Sequence, residues 1–280
     1  MLAAFTSCSA ELNSLGQETY DFDSSWAIKS ETLSTTFGDK QALYDGFMNG
    51  CREAAATHET GGKHSCDEGP RLTMNRNQPR GMRNYTKLGF VKIRAPEEVF
   101  SSLANFWEEN TKDAGVTEWS DLNTHHNMWA APTTLLNTHD ESIPGGGHEL
   151  VHKIVESSRY VMEEWTGQHL SICSVWGLRV YHNNSILAPH VDRNPIIFSA
   201  IINVAQDIEE DWPLEIWGHD DKPYNITMKP GDMVLYESHS VIHGMLLSLD
   251  FAFTPTEIVL TGRVCKILFT ILPQQVVHFQ

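Results

Sequence analysis

The second half of the 280-residue chain contains six short runs rich in Val, Ile, Tyr and Phe, separated by turn residues such as Pro230-Gly231-Asp232. Runs of this length and composition, bounded by turn signals, are typical of β-strands. The predicted strands are residues 174–182, 196–204, 214–217, 224–228, 233–237 and 264–272. Many short strands at close spacing favour a sandwich or a barrel.

Two amphipathic helices precede these strands. After Pro96, apolar residues from Val99 to Trp107 recur at helical spacing, and two glutamates occupy the first turn. A second apolar stripe runs from Leu150 to Trp165 and ends at Gly167. Helices followed by strands predict an α+β chain in which the helices pack on the sheets.

Residues 1–82 have a different composition, rich in Ser, Thr, Gly, Asn and Glu. Within residues 58–80, Leu72 and Met74 are the large apolar residues. We therefore predict a poorly structured N-terminal extension, with one short helix at residues 40–55. The predicted folded domain is residues 83–280, with a helical part at 83–172 and a strand-rich part at 173–280.

Charge and composition exclude several classes of protein. The chain has 20 Lys and Arg against 36 Asp and Glu, a formal net charge of −16, which argues against binding to a nucleic-acid backbone. It has no membrane-spanning apolar run and no secretory signal at its start, so we expect a soluble protein of undetermined compartment. Its five cysteines, odd in number and without a CxxC pair, predict reduced thiols.

The sequence His190-Val191-Asp192 carries the clearest chemical signal. In an extended segment, residues i and i+2 project to the same face, so an imidazole and a carboxylate lie side by side. His243 follows after several further strands and supplies a third candidate ligand, with His239 as its alternative. Two histidines and one carboxylate suit non-haem Fe(II), whereas zinc more often closes a tetrahedron.

Six segments between Asn84 and His243 carry a resemblance to a known family: residues 84–90, 176–181, 190–193, 199–204, 212–215 and 229–237. In these segments the chain resembles the Fe(II)- and 2-oxoglutarate-dependent dioxygenases, in particular the prolyl 4-hydroxylase-like branch and its algal-type members. The resemblance implies a double-stranded β-helix, or jelly roll, with supporting helices packed on one sheet. It also implies His190, Asp192 and His243 as the iron ligands.

The same resemblance implies an enzyme that hydroxylates an unactivated C–H bond, with 2-oxoglutarate as cosubstrate and ascorbate as reductant. Its substrate would be a peptide or a small molecule, with peptidyl proline as one candidate. Tyr181 and Asn203 are candidates to line the cosubstrate site.

The cation that would hold the distal carboxylate of 2-oxoglutarate is not where the resemblance implies. Relatives place an Arg or Lys about ten residues after the second histidine, and a guanidinium suits this role because its planar fork binds a carboxylate through two hydrogen bonds. Here residues 244–262 contain no basic residue. An insertion would leave Arg263 as the clamp, with Lys266 as the second candidate.

An alternative interpretation takes the residues from Met245 onward as translated intron. The chain would then be a catalytically inactive jelly-roll module that binds a metal or ligand but has lost the 2-oxoglutarate clamp.

Overall fold

The computed structural model describes residues 41–57, 66–116, 124–208 and 210–246, together with the backbone of two strands at 21–22 and 263–273. In these residues the helices are α1 (Gln41–Thr57), α2 (Gly69–Gly81), α3 (Glu97–Asn110) and α4 (His148–Thr166), with a 3-10 turn at Thr111–Asp113. The strands are β1 (Asp21–Phe22), β2 (Phe90–Arg94), β3 (Gly115–Val116), β4 (Thr134–Leu136), β5 (Leu170–His182), β6 (Leu187–His190), β7 (Phe198–Asp207), β8 (Leu214–Trp217), β9 (Pro223–Ile226), β10 (Asp232–Tyr236), β11 (His243–Met245) and β12 (Arg263–Pro273).

The predicted secondary structure is confirmed at the level of its elements. Each of the six predicted strands is present, with ends displaced by a few residues, and β8 coincides with its predicted bounds. The helices predicted after Pro96, from Leu150 and at residues 40–55 correspond to α3, α4 and α1. The sequence patterns do not predict α2 or the short strands β1, β2, β3, β4, β6 and β11.

The strands form two antiparallel sheets. The large sheet has the order β2-β10-β7-β12-β5-β4-β3, and the small sheet has the order β1-β9-β8-β11-β6. From β5 to β12 each strand lies in the other sheet from the strand before it, except that β8 and β9 pair with each other in the small sheet. This confirms the α+β class.

No helix in the described residues combines the length and the apolar character needed to cross a membrane.

Three apolar clusters separate the layers. One packs α3 and α4 on the outer face of the large sheet and includes Leu103, Ile154 and Ile202. A second fills the space between the sheets and includes Tyr181 and Ile216. The third packs α1 and α2 on the outer face of the small sheet. Its members include Tyr44, Phe47, Leu72, Ala188 and Ile242. The resulting order is helices, large sheet, small sheet, helices.

Helix α2 corrects the prediction of a poorly structured N-terminal extension. Arg71, Leu72 and Asn75 of this helix are buried, and α1 packs beside it. Sequence periodicity does not find α2 because its buried face is largely polar. A disulfide joins Cys51 of α1 to Cys66 just before α2, which also corrects the expectation of reduced thiols. The rest of the predicted extension lies outside the described residues.

Gly177 is a backbone constraint in the long strand β5. Its φ angle is +87°, and a Cβ atom built on it would lie 2.7 Å from the carbonyl oxygen of Leu136. A side chain at this position therefore meets both an unfavourable backbone conformation and a fixed main-chain atom.

We expect Gly177→Ala to lower the free energy of unfolding by about 1–3 kcal/mol, since strained φ angles of non-glycine residues cost this much. Urea denaturation followed by tryptophan fluorescence measures the change. Gly81→Ala is the control, because a Cβ atom at Gly81 meets no atom within 4 Å. Equal stability of the two variants would contradict the prediction.

Candidate metal centre

The metal-ligand candidates come together where β6 pairs with β11. The antiparallel register places His243 directly opposite His190, and Asp192 follows two residues after the end of β6. The Nε2 atoms of His190 and His243 lie 3.6 Å and 4.0 Å from Oδ1 of Asp192. One ligand atom of each residue lies within 4.8 Å of the others. Within the described part of the chain, this is the one group of three such residues close enough to share an ion.

Both imidazoles are oriented by main-chain carbonyls. Nδ1 of His190 lies 2.9 Å from the carbonyl oxygen of Ala188, and Nδ1 of His243 lies 3.0 Å from that of Val241. An Nδ1–H that donates to a carbonyl leaves the lone pair of Nε2 free to bind a metal. Both Nε2 atoms face the carboxylate of Asp192.

Electrostatics favour the neutral, metal-binding form of these histidines. Burial is the main cause that lowers the pKa of His190 well below its usual value, and the neighbouring His243 and His125 lower it further. Burial also lowers the pKa of His243, although the carboxylate of Asp192 opposes the shift. Because metal ions bind unprotonated imidazole, these shifts keep the ligands available.

Hydrogen bonds fix the carboxylate of Asp192. Its Oδ2 accepts a bond from the hydroxyl of Ser199 at 3.1 Å, and Ser199 lies 2.7 Å from the hydroxyl of Ser238. The backbone N–H of Asp192 donates to the carbonyl oxygen of Ser238 at 2.8 Å. Since the Ser199 hydroxyl binds Oδ2, Oδ1 is left to face the two imidazoles.

Helix α2 holds the backbone that carries His190 and Asp192. The side-chain amide of Asn75 donates to the carbonyl of Pro189 at 2.9 Å and accepts from the N–H of Val191 at 2.9 Å. Gln78 donates to the carbonyl oxygens of Asp192 and His239, at 2.6 Å and 2.8 Å. Sequence reasoning missed these residues. The signal that the sequence does contain is the spacing of Asn75 and Gln78: two amide side chains three residues apart lie on the same face of a helix.

His239, the alternative third ligand, lies outside the group. Its Nδ1 is 2.8 Å from the carbonyl oxygen of Ile197, and its Nε2 is 3.3 Å from that of Arg83. Both ring nitrogens therefore face main-chain oxygens. The geometry favours His243 over His239.

Further aromatic residues border the three ligands. The ring of His125 lies 5.0 Å from that of His190, and the ring of Tyr236 lies 4.7 Å from that of His243. His126 pairs with Leu187 in an isolated bridge beside β6, which brings the segment containing His125 over the site. The sequence reading did not include these three residues, because no spacing links them to the ligands.

Tyr181 and Asn203 both lie on the large sheet, and the structure buries both. Tyr181 packs between the sheets, with its ring 6.3 Å from His126 and 6.1 Å from Trp212. Asn203 donates to Gln206 and to the carbonyl of Met228. Three of the buried polar atoms that have no hydrogen-bond partner among the described residues belong to this region: Oδ1 of Asn203, Nε1 of Trp212 and Nδ1 of His126.

Strand β12 fixes the positions of the two candidate clamp residues. Its register sets Lys266 opposite Arg179 of β5 and Asn203 of β7. Arg263 is set opposite His182 and Asp207. Since Tyr181 packs between the sheets, Arg179 lies on the same inner face of β5 and His182 on the outer face. The register therefore assigns Lys266 to the inner face, and Arg263 to the face that carries α3 and α4.

No family model matches the chain, and no curated protein matches it. Solved structures that match the chain include a prolyl 4-hydroxylase from Pseudomonas putida, with 10% identity, coverage of 67% of this chain and 94% of that chain, and a TM-score of 0.46. HygX from Streptomyces hygroscopicus, solved with nickel, 2-oxoglutarate and hygromycin B, has 10% identity, coverage of 69% and 86%, and a TM-score of 0.46. A 2OG-Fe(II) oxygenase-family oxidoreductase from Burkholderia pseudomallei has 11% identity, coverage of 74% and 92%, and a TM-score of 0.45.

We expect Asn75→Ala to weaken metal binding by roughly 10- to 100-fold, as loss of groups that orient metal ligands does elsewhere. The substitution removes two hydrogen bonds to the backbone between Pro189 and Val191. Anaerobic titration with Fe(II), followed by calorimetry, measures the affinity. Asn77→Ala is the matched control because Asn77 is exposed on the same helix. Equal affinities of the two variants would show that the Asn75 contacts do not support the site.

Stability should depend on pH through His126. Burial, with the guanidinium of Arg179, lowers the pKa of His126 to about 3, whereas in the unfolded chain it is about 6.5. Below pH 6.5 the unfolded chain therefore binds a proton that the folded chain does not, and stability falls with falling pH. Between pH 6.5 and 5.0 this loss is about 2 kcal/mol at most.

We expect His126→Gln to reduce the difference in unfolding free energy between pH 7.5 and pH 5.0. Urea denaturation of the metal-free protein at both pH values measures this difference. The control is His148→Gln, since His148 is exposed on α4. A difference unchanged from that of the wild type would contradict the assignment of this pH dependence to His126.

Proposed function

We propose that the chain is an Fe(II)- and 2-oxoglutarate-dependent dioxygenase that hydroxylates an unactivated C–H bond. The observation that carries this proposal is the convergence of His190, Asp192 and His243, with both Nε2 atoms facing one carboxylate oxygen. Two neutral imidazoles and one carboxylate are a donor set that fits Fe(II) and leaves positions for other ligands. The same residues support the sequence resemblance to the prolyl 4-hydroxylase-like branch.

The proposed fold is a double-stranded β-helix. In support, strands β5 to β12 divide into two four-stranded antiparallel sets, β10-β7-β12-β5 and β9-β8-β11-β6. The three proposed ligands lie where the inner faces of these two sets meet. The same proposal keeps the domain at residues 83–280, with a helical part at 83–172, and extends it toward the N-terminus by α1 and α2, which pack on the small sheet.

For the cosubstrate, we assign the clamp to Lys266 in place of Arg263. Lys266 shares its cross-strand row with Asn203, whose buried Oδ1 has no partner among the described residues. It also lies on the face of the sheet where Tyr181 packs. An ammonium group in that row would attract the distal carboxylate of 2-oxoglutarate, and Tyr181 and Asn203 would supply neutral contacts.

When bound, iron, 2-oxoglutarate and dioxygen supply the oxidising chemistry that breaks the substrate C–H bond. The residues of this chain bind and orient these groups. Ser199 holds the Asp192 carboxylate and Ser238 holds the Asp192 backbone. The carbonyls of Ala188 and Val241 hold the imidazoles. Burial of His243 limits the access of water to the centre.

The substrate class rests on the sequence resemblance. It suggests a peptide or a small molecule, with peptidyl proline as the first candidate to assay and ascorbate as the accompanying reductant. The acidic charge of the chain supports neither nucleic acid nor another polyanion as substrate.

The decisive experiment is anaerobic titration of the whole chain with Fe(II) and 2-oxoglutarate, following the weak visible charge-transfer band of the chelated complex. We expect the band in the wild type and in Arg263→Ala, and at least a tenfold weaker affinity for 2-oxoglutarate in Lys266→Ala, since a charge-assisted hydrogen bond is worth roughly 1.5–3 kcal/mol. Asp192→Ala should bind neither iron nor cosubstrate at the concentrations that saturate the wild type.

Two outcomes would contradict parts of the proposal. Iron binding without the band in the wild type would favour the inactive binding module. A band weakened by Arg263→Ala and not by Lys266→Ala would return the clamp to Arg263. Thermal unfolding of each variant tests whether lost binding reflects lost folding.

A further inference from the structure

A cavity separate from the metal centre lies between α2 and the turn that joins β8 to β9. Its volume is about 170 Å³. Its polar and charged walls are formed mainly by Arg76, Arg80, Asn84, His219, Asp221 and Ser240. We call it the α2 cavity. It lies on the outer side of the small sheet, because its wall residue Ile242 packs toward α1 and α2.

The charge of this cavity is opposite to that of the whole chain. Arg76 and Arg80 are one helical turn apart on α2, and both line the cavity. Among the described residues that line the cavity, Asp221 is the one acidic residue, so two guanidinium groups face one carboxylate in a chain whose formal charge is −16. Helix α2 itself contains no Asp or Glu.

Arg76 is half-buried, and in the described part of the chain no ion pair joins it to a carboxylate. Burial of a guanidinium without a counter-ion is unfavourable, and a ligand that supplies negative charge relieves that cost. The guanidinium fork matches the oxygen spacing of carboxylate and phosphate groups.

Other polar and aromatic groups complete the lining. The imidazole of His219 is fixed at the wall, with Nδ1 3.2 Å from the carbonyl oxygen of Thr86 and Nε2 2.9 Å from the hydroxyl of Ser240. The side chain of Asn84 and the indole of Trp217 also border the cavity. Hydrogen-bonding groups around a cation pair are suited to orient a small polar ligand.

We propose that the α2 cavity is a binding site for a small anion that carries a carboxylate or a phosphate group. Arg76 and Arg80 would bind the anionic oxygens, and Asn84 and Trp217 would contact the rest of the ligand. The site is separate from the proposed iron and 2-oxoglutarate sites, because the small sheet lies between Ile242 and the inner face that carries His243.

The same helix connects the cavity with the metal centre. Asn75 lines the cavity and also holds the backbone of Pro189 and Val191. An anion bound at Arg76 would therefore stabilise α2 in the position that orients His190 and Asp192. This connection provides a structural readout that does not depend on oxygenase activity.

The test uses the metal-free whole chain and two probes, inorganic phosphate and acetate, at an ionic strength held constant with chloride. Isothermal titration calorimetry should detect binding of at least one probe, and the preferred probe identifies the anionic group. We expect the double variant Arg76→Gln/Arg80→Gln to bind it roughly tenfold or more weakly, the loss expected for charge-assisted hydrogen bonds. Arg52→Gln/Lys112→Gln, which removes two exposed cations elsewhere, should bind as the wild type does.

Hydrogen–deuterium exchange locates the bound anion. In the wild type, the preferred probe should slow the exchange of amides in α2 and in β11, and in the Arg76→Gln/Arg80→Gln variant it should not. Arg76→Lys, which keeps the charge and loses the planar fork, should retain part of the affinity and controls for folding. Absence of binding by both probes, or equal binding by the glutamine variant, would overturn the proposal and leave the proposed dioxygenase activity unaffected.

Discussion

The pairing of β6 with β11 is the interaction on which the metal centre depends. His190 and His243 belong to parts of the chain separated by more than fifty residues, and the antiparallel ladder sets them opposite each other. Successive residues of a strand face opposite sides of the sheet. A slip of one residue would move His243 to the outer face, where Ile242 packs against α1 and α2. The register of two short strands therefore determines whether three ligands converge.

Contacts within and beside the ladder hold this register. A Cβ atom at Gly244 would lie 2.9 Å from the carbonyl oxygen of Leu187, so β6 and β11 approach closely only because glycine occupies that position. Oε2 of the buried Glu215 accepts a bond from the N–H of Leu246 at 3.2 Å, just beyond β11. On the other strand, Arg71 donates to the carbonyl of Pro189 at 2.6 Å beside the contacts of Asn75. Polar side chains therefore act together with the apolar cluster on α1 and α2 at this edge of the small sheet.

The sequence allowed the predictions whose signals are local. Apolar residues bounded by turn residues predict both ends of β8 correctly. The spacing of His190, Asp192 and His243 identifies the three candidate ligands that the structure brings together. The elements that were missed depend on tertiary contacts. Helix α2 has little apolar periodicity because Arg71 and Asn75 are buried through hydrogen bonds. The choice between Arg263 and Lys266 depends on the register of β12 against two other strands, which no local pattern encodes.

Strand β2 and the loop before it illustrate how distant parts of the chain depend on each other. Among the described strands, β2 pairs with β10 alone, about 140 residues later in the chain. The buried carboxylate of Glu237 accepts hydrogen bonds from the N–H groups of Tyr85 and Thr86 and from the Thr86 hydroxyl. Closing a loop of this length has a large entropic cost, and contacts between distant residues slow folding. During synthesis, the region around Thr86 therefore adopts its native structure only after β10 and Glu237 have left the ribosome, because its partners are in that segment.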